Sequence, residues 1–276
     1  MKYHLIVFCL AATVLFRAQT HRFVYDVEYK RDSASEVLSK DVYHLDTDGQ
    51  KSKYYIRDYF TADSLISNNL PFPKDAALKD SDILIHNTGE DLYERLELLQ
   101  GTVLKLSEKA KQEWQLTNEK KQMQGMTWQK ALASWGGRKW TAWFVPEIPF
   151  QEGPYKFHGL PGLIVEVYDE GRNYHFTLNR TQKIANENPN QFLDMAEEQA
   201  YPVSREKYVE TKLKYYEAPV AFLRNSSGSA SSSQNFYLND GTLVTAANSR
   251  EVNRFLREQI LKYNNPPELD QAIRYP

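Results

Sequence analysis

Residues 138–163 read RKWTAWFVPEIPFQEGPYKFHGLPGL. The first eight residues form an apolar, aromatic run that suits a strand, and the run ends at Pro146. Proline cannot donate to a ladder, so the strand stops there or reaches an edge, and Pro149 extends the interruption. Gly153-Pro154 and Pro161-Gly162 are turn dipeptides. Gly159 and Gly162 permit positive φ or close backbone approach. Ile164-Val165-Glu166-Val167 then resumes an extended run. Trp140 and Trp143 lie three apart, which on a regular strand places them on opposite faces, one in the core and one exposed. Two readings stay open for the block between the strands. It is an ordered loop that closes one side of a sheet, or it is a platform of aromatic rings and prolines for a ligand or partner.

Outward from this block the same grammar repeats. Upstream, Met126 to Ser134 reads as a polar-rich strand, and Gly136-Gly137 turns it into the strand Lys139 to Val145. Downstream, Gly171-Arg172-Asn173 turns Ile164–Tyr168 into Tyr174–Leu178. Near the start, Phe23, Tyr25, Val27 and Tyr29 alternate with mostly polar neighbours, the pattern of a half-buried strand. VYHLDTDGQKSKYYI carries a hairpin signal at Asp48-Gly49. Residues 61–80 read as an irregular connection, and Leu92–Leu99 fits strand or helix equally. The C-terminal third leans to helix, as in SREKYVETKLKYY (204–216). Its best helix is Asn248–Tyr263, capped by Asn248 or Ser249, with Val252, Phe255, Leu256, Gln259 and Ile260 on one face. Asn264-Asn265-Pro266-Pro267 stops it. The expected fold is α+β: a large curved antiparallel sheet, as a meander or half-barrel, with a few helices, the best one C-terminal.

The chain has 276 residues, 41% hydrophobic, with 18 Tyr, 13 Phe and 5 Trp, a composition that favours pleated surfaces. MKYHLIVFCLAATVLFRAQT opens it as a secretory signal does: one Lys, an apolar run from Leu5 to Phe16, then a small-residue exit. Cleavage near Ala18 or Gln19 is expected, leaving residues 20–276 as a single exported domain, periplasmic or secreted, with no transmembrane segment. Its serine-rich stretch 226–235, SSGSASSSQN, reads as a flexible loop. The only cysteine, Cys9, falls within the signal, so the mature chain has no disulfide, thiolate metal site or cysteine nucleophile. A net charge of -2 and the lack of a compact basic patch exclude a nucleic-acid partner.

Motifs for chemistry are sparse. There is no H-x-H or HExxH spacing, no G-x-S-x-G, and no phosphate-binding glycine loop, so neither a metal nor a cofactor is expected. Asp46-x-Asp48-Gly49 fails as a calcium loop, because its first and twelfth positions hold His44 and Tyr55. His158 and His175 need a loop fold-back to meet, and His21, His44 and His86 are scattered. Glu147, Glu152, Glu166 and Asp169 cluster in sequence, and two of them converging in one cleft would suit glycoside hydrolysis, with Glu147 the first candidate. As solvated or capping groups they carry no catalysis.

GLPGLI at residues 159–164 is the signature of the GLPGLI family. The surrounding RKWTAWFVPEIPFQEGPYKFHGLPGLIVEVYD, the ending KYNNPPEL (262–269) and the early VYDVEYK resemble that family as well. The resemblance implies an exported bacterial protein of unsettled biochemical function, and it supplies no catalytic residues. Relatives often carry a cysteine before the central block, whereas MQGMTWQKALASWGGRKW has none, so a redox or metal role for it does not transfer. The meander also looks like the curved half-barrel of lipoprotein carriers, an analogy of fold alone. The functional expectation is a non-enzymatic envelope module that binds an apolar or peptide ligand or an outer-membrane partner. A periplasmic hydrolase and a structural envelope component are the alternatives. Its binding candidates are Trp140, Trp143, Phe144, Pro146, Glu147, Pro149, Tyr155, Phe157, His158, Gly159 and Pro161, with no catalytic residue assigned.

Overall fold

A computed structural model describes residues 19–68, 82–99, 102–184, 191–226, 235–238 and 241–276. The stretch read as an export signal, most of the serine-rich stretch and the tail of the 61–80 connection lie outside the described residues.

Two antiparallel meanders make the sheet. The first comprises β1 (Thr20–Tyr29), β2 (Ser39–Thr47), β3 (Lys51–Ile56), β4 (Ile83–Asn87), β5 (Leu92–Leu99) and β6 (Thr102–Lys109). The second comprises β7 (Gln115–Met123), β8 (Met126–Trp135), β9 (Arg138–Val145), β10 (Leu163–Asp169) and β11 (Tyr174–Ile184). β1 joins them by pairing antiparallel with both β2 and β11. The two-residue β12 (Tyr201–Pro202) pairs parallel with β6, which completes a twelve-stranded open sheet ending at β12 and β7.

The hairpin at Asp48-Gly49 forms as its sequence dictates. Gly49 takes φ 86°, and Asp48 Oδ1 accepts from the amides of Gln50 and Lys51 at 2.8 and 2.9 Å. Asp46, once a formal calcium ligand, instead receives both Nε and a terminal nitrogen of Arg22 at 2.7 Å.

Helix α1 (Arg57–Ser67) begins directly after β3 and takes the first part of the stretch read as irregular. With α2 (Gln191–Glu198) it covers the outer face of β3–β5, burying Tyr55, Tyr59, Ile83, Ile85, Leu96 and Leu193. This explains the ambiguity of Leu92–Leu99. Tyr93, Leu96 and Leu99 are all buried, a spacing of three, because different layers cover both faces of β5. Its register with β4 and β6 settles it as a strand.

Helices α3 (Arg205–Glu217), α4 (Pro219–Ser226) and α5 (Ser249–Lys262), with the small hairpin β13 (Phe236–Tyr237) and β14 (Leu243–Val244), form the C-terminal part. On α5 only Val252 is buried, while Phe255 is 45% exposed. Asn248 holds the N-cap position without capping, because its side-chain oxygen accepts from the Thr245 amide at 2.8 Å.

The sheet is strongly curved. Lys156 bonds Glu108, at the end of β6, while the next ring, Phe157, packs on Trp140 of β9. Those strands are eight steps apart in the sheet, roughly 38 Å if it lay flat. One short segment touches both only because the sheet curls around it.

Candidate functional site: a proline–glycine plug and the groove beside it

The connection from β9 to β10, residues 146–162, is a plug folded onto the concave face of the sheet. Its backbone ties itself together. The amide of Leu163 donates to Ile148 O at 3.0 Å, Gly159 to Gln151 O at 2.9 Å and Ile164 to Glu152 O at 3.0 Å. Gly162, at φ 150°, lies so close to Val145 and Pro146 that a Cβ would fall 2.3 Å from Val145 O.

This placement divides the sequence-derived candidates. Trp140, Phe144 and Phe157 are core residues, each 1% exposed or less. The Trp140 and Phe157 rings meet edge to face at 4.6 Å, and the Trp140 indole donates to Trp135 O. Trp143 is buried as well, so the expectation that one tryptophan is exposed is corrected. It faces the other side of the sheet, where Lys121 caps its ring at 4.1 Å and blocks it from solvent. Tyr155 is half-buried and donates to Glu268 at 2.7 Å, while burial and then Glu268 push its phenol well above the usual range. His158 is buried. Pro146, Glu147, Pro149, Gly159 and Pro161 are exposed and form the rim of the plug. As a continuous aromatic platform the block is therefore corrected: its fully buried rings hold the plug in place and offer no face to a ligand in this structure.

Polar anchors complete the attachment. Glu152, 2% exposed, lies 3.1 Å from His86 Nδ1 through each carboxylate oxygen and accepts from Ser52 and Thr88 at 3.2 and 3.1 Å. Lys156, 1% exposed, donates to Glu108 at 2.7 Å and to Glu268 at 2.5 Å. Trp114 and Gln112 bind the plug's carbonyls at His158 and Lys156. His86 and Lys156 were not singled out from sequence. The available signal for His86 was its place in the apolar strand ILIH, where it alternates with Leu84 toward the concave face.

The clustered carboxylates do not act together. Glu147 is exposed and caps the Thr127 amide at 3.0 Å, which holds its carboxyl below the ordinary range. Glu152 faces His86. Glu166 is held low by His175 at 2.9 Å and by Lys121 at 3.3 Å. Asp169 accepts from Arg138 at 3.0 Å and from the Tyr174 amide at 2.8 Å. Each carboxylate has its own partners. His158 meets His86, with ring centroids 4.8 Å apart, while His175 pairs with Glu166. Among the described residues no three metal-ligating side chains gather.

Beside the plug, the chain segment following α5 crosses to the β8–β9 turn. Arg138 donates to the side chain of Asn265 and to the carbonyls of Pro266 and Pro267, and Leu269 N donates to Gly136 O at 2.7 Å. Gly136 and Gly137, at φ 63° and 75°, let this strap pass, since a Cβ at either would press on Glu268 or Leu269. A groove of about 700 Å³ opens here. Its lining includes Trp135, Lys139, Glu170 and Leu269, and Trp135 also packs on the plug's Tyr155 and Phe157.

A family model described as "Protein of unknown function (Porph_ging)" matches residues 101–166, about a quarter of the chain, a span that includes the plug. No curated protein matches. Among solved structures, PNGF-II in its P21 crystal form is similar at 15% identity and a TM-score of 0.47, over 68% of this chain and 32% of that one. Its C2 form gives 13%, 0.48, 83% and 40%. A LolA superfamily protein, NE2245 from Nitrosomonas europaea, is similar at 6% identity and a TM-score of 0.28, over 62% of this chain and 88% of that one. The chain thus spans about a third to two fifths of the PNGF-II chains' length.

Proposed function

We propose that this chain is an exported cell-envelope protein of the GLPGLI kind that works as a non-enzymatic binding module. Its partner is a peptide segment, free or belonging to an outer-membrane protein, held in the groove between the β8–β9 turn and the strap. The supporting observation is the division of the central block. The chain's own plug occupies the concave face, while the groove beside it stays accessible and carries an indole, an aliphatic side chain and charges of both signs. A half-barrel enclosing an apolar molecule is the weaker form of this reading, because the plug's rings already fill that space. The hydrolase alternative loses the support it drew from Glu147, Glu152, Glu166 and Asp169, each of which is taken up by its own partners. Among the described residues no helix is long and apolar enough to cross a membrane.

Selection of a random displayed peptide library on the purified chain tests the proposal. The expected result is an enriched motif binding at micromolar Kd, a free energy of about -8 kcal/mol, and weakened at least tenfold by Trp135→Ala or Lys139→Glu. Absence of enrichment, or peptides that bind both variants as well as the parent, would overturn it. Native mass spectrometry provides the second arm: a co-purified apolar molecule would return the ligand to the concave face.

A further inference from the structure

We propose that the His86–Glu152 pair is a pH-operated latch that fastens the plug to strands β3–β5. The argument begins with hydrogen counting. His86 lies on the inner face of β4, opposite Ser52 of β3 and Tyr93 of β5. Its Nε2 is 2.7 Å from the backbone carbonyl of Glu90, which can only accept, so that nitrogen carries a proton. Its Nδ1 is 3.1 Å from both oxygens of Glu152. A neutral ring has one N–H and would turn a lone pair toward the carboxylate. Only the imidazolium donates at both ends. Glu152 also accepts from Ser52 and Thr88, an arrangement that suits an ionised carboxylate. Both side chains are 2% exposed or less, so loss of the ring proton leaves a buried charge without its partner.

The surroundings bias the pair. From the plug, His158 faces His86 across 4.8 Å. From the β4–β5 turn come Glu90 and Asp91; Asp91 lies 3.6 Å from His158 Nε2 and is itself paired with Lys111. From β5, the Tyr93 ring stacks on His86 at 4.2 Å, and Tyr25 of β1 faces Glu152. Burial opposes the charge on His86, but the Glu152 hydrogen bond and charge outweigh it and raise its pKa above the ordinary value. Burial lowers that of His158, whose Nδ1 donates to Lys156 O at 3.1 Å. The sign follows from linkage. A group with a raised folded pKa stabilises below its unfolded value, and that stability is lost as pH rises through the folded one. The latch is therefore shut below the ordinary histidine range and opens as pH rises through the raised folded value, freeing residues 150–158 from β3–β5.

Amide hydrogen exchange of the full chain from about pH 5 to about pH 9, corrected for intrinsic rates, tests this, with the imidazole nitrogens followed by NMR in the same samples. The expected result is that His86 carries two N–H groups at the acid end of this range and loses one at a pH above its ordinary value. As it titrates, plug amides should exchange at least tenfold faster relative to those of β8 and β9. Ser52→Ala, which removes a neutral donor, should keep this pH profile, and Glu152→Gln should flatten it. A His86 that titrates at or below its ordinary value, or plug exchange that stays flat with pH in the parent chain, would overturn the proposal. Both readouts come from the parent chain, so they decide even if Glu152→Gln fails to fold.

Discussion

Two glycines of one motif should respond very differently to the same methyl group. Gly159 has φ 84° and open space around its missing side chain, with nothing within 4 Å of an added Cβ. Gly159→Ala therefore brings only left-handed backbone strain of about 1–2 kcal/mol. Stiffening of the unfolded chain returns about 0.4–1 kcal/mol, so the net loss is near 1 kcal/mol. Gly162 has φ 150°, and its added Cβ would meet Val145 O at 2.3 Å, Val145 C at 2.6 Å and Pro146 Cα at 2.7 Å. These are backbone atoms of Val145, which pairs with Leu163, and of the residue after it, so they cannot swing away without opening the β9–β10 ladder. Backbone strain of about 1–3 kcal/mol then adds to an overpacking cost of about 1–3 kcal/mol, for a net loss of about 3 kcal/mol after the same return. Converted at about 2–4 °C per kcal/mol, the Tm should fall by roughly 10 °C for Gly162→Ala and by roughly 3 °C for Gly159→Ala. Urea unfolding followed by tryptophan fluorescence, with thermal melts by circular dichroism, gives both numbers. Equal losses, or a Gly162→Ala protein within about 1 kcal/mol of the parent, would refute the close packing of plug against strand end.

His44 is buried among Tyr55 and Phe60 with neither ring nitrogen bonded, and burial, then Arg22, pushes its pKa down to about 4. A depressed histidine stabilises above its unfolded value near 6.5 and loses that stability as pH falls through the folded one, a contribution of roughly 3 kcal/mol. Stability measured between about pH 7 and about pH 4 should fall less steeply in His44→Phe than in the parent, and parallel curves would refute this. Lys156→Met leaves Glu108 and Glu268 facing one another without their ammonium and should cost about 3–5 kcal/mol in urea unfolding. Adding Glu268→Gln should recover more than about 1 kcal/mol of that loss, whereas strictly additive effects would mean the two groups do not interact.

The meander was legible because its information is local. Asp48-Gly49, Gly136-Gly137 and Gly171-Arg172-Asn173 each specify a turn between strands adjacent in sequence, and the register of those hairpins follows from the turn itself. The helix α1 was missed for a related reason. Its sequence RDYFTADSLIS lacks a proline or glycine break from β3, and what makes it a helix is the apolar stripe it buries on Tyr55 and Ile83, partners contributed by the sheet.

The central block, for which the sequence left two readings open, is more instructive. Aromatic rings among prolines and glycines look the same in sequence whether they face a ligand or the chain's own interior. The choice depends on curvature, which depends on how many strands join the sheet, and that number is a property of the whole chain. Asn264-Asn265-Pro266-Pro267 shows the same limit. As a helix stop it was legible, because proline lacks an N–H. What the sequence does not show is that Arg138, far away along the chain, collects the two proline carbonyls together with the Asn265 side chain. Glu152 is the third case: sequence spacing grouped it with Glu147 and Glu166, while the fold gives it His86, Ser52 and Thr88. In each case the residue type was visible and its role was not, because a single contact with a distant strand separates a structural fastening from a binding surface. The exposed rim and the groove are what remain of the block once those fastenings are accounted for, and the binding proposal rests on that remainder.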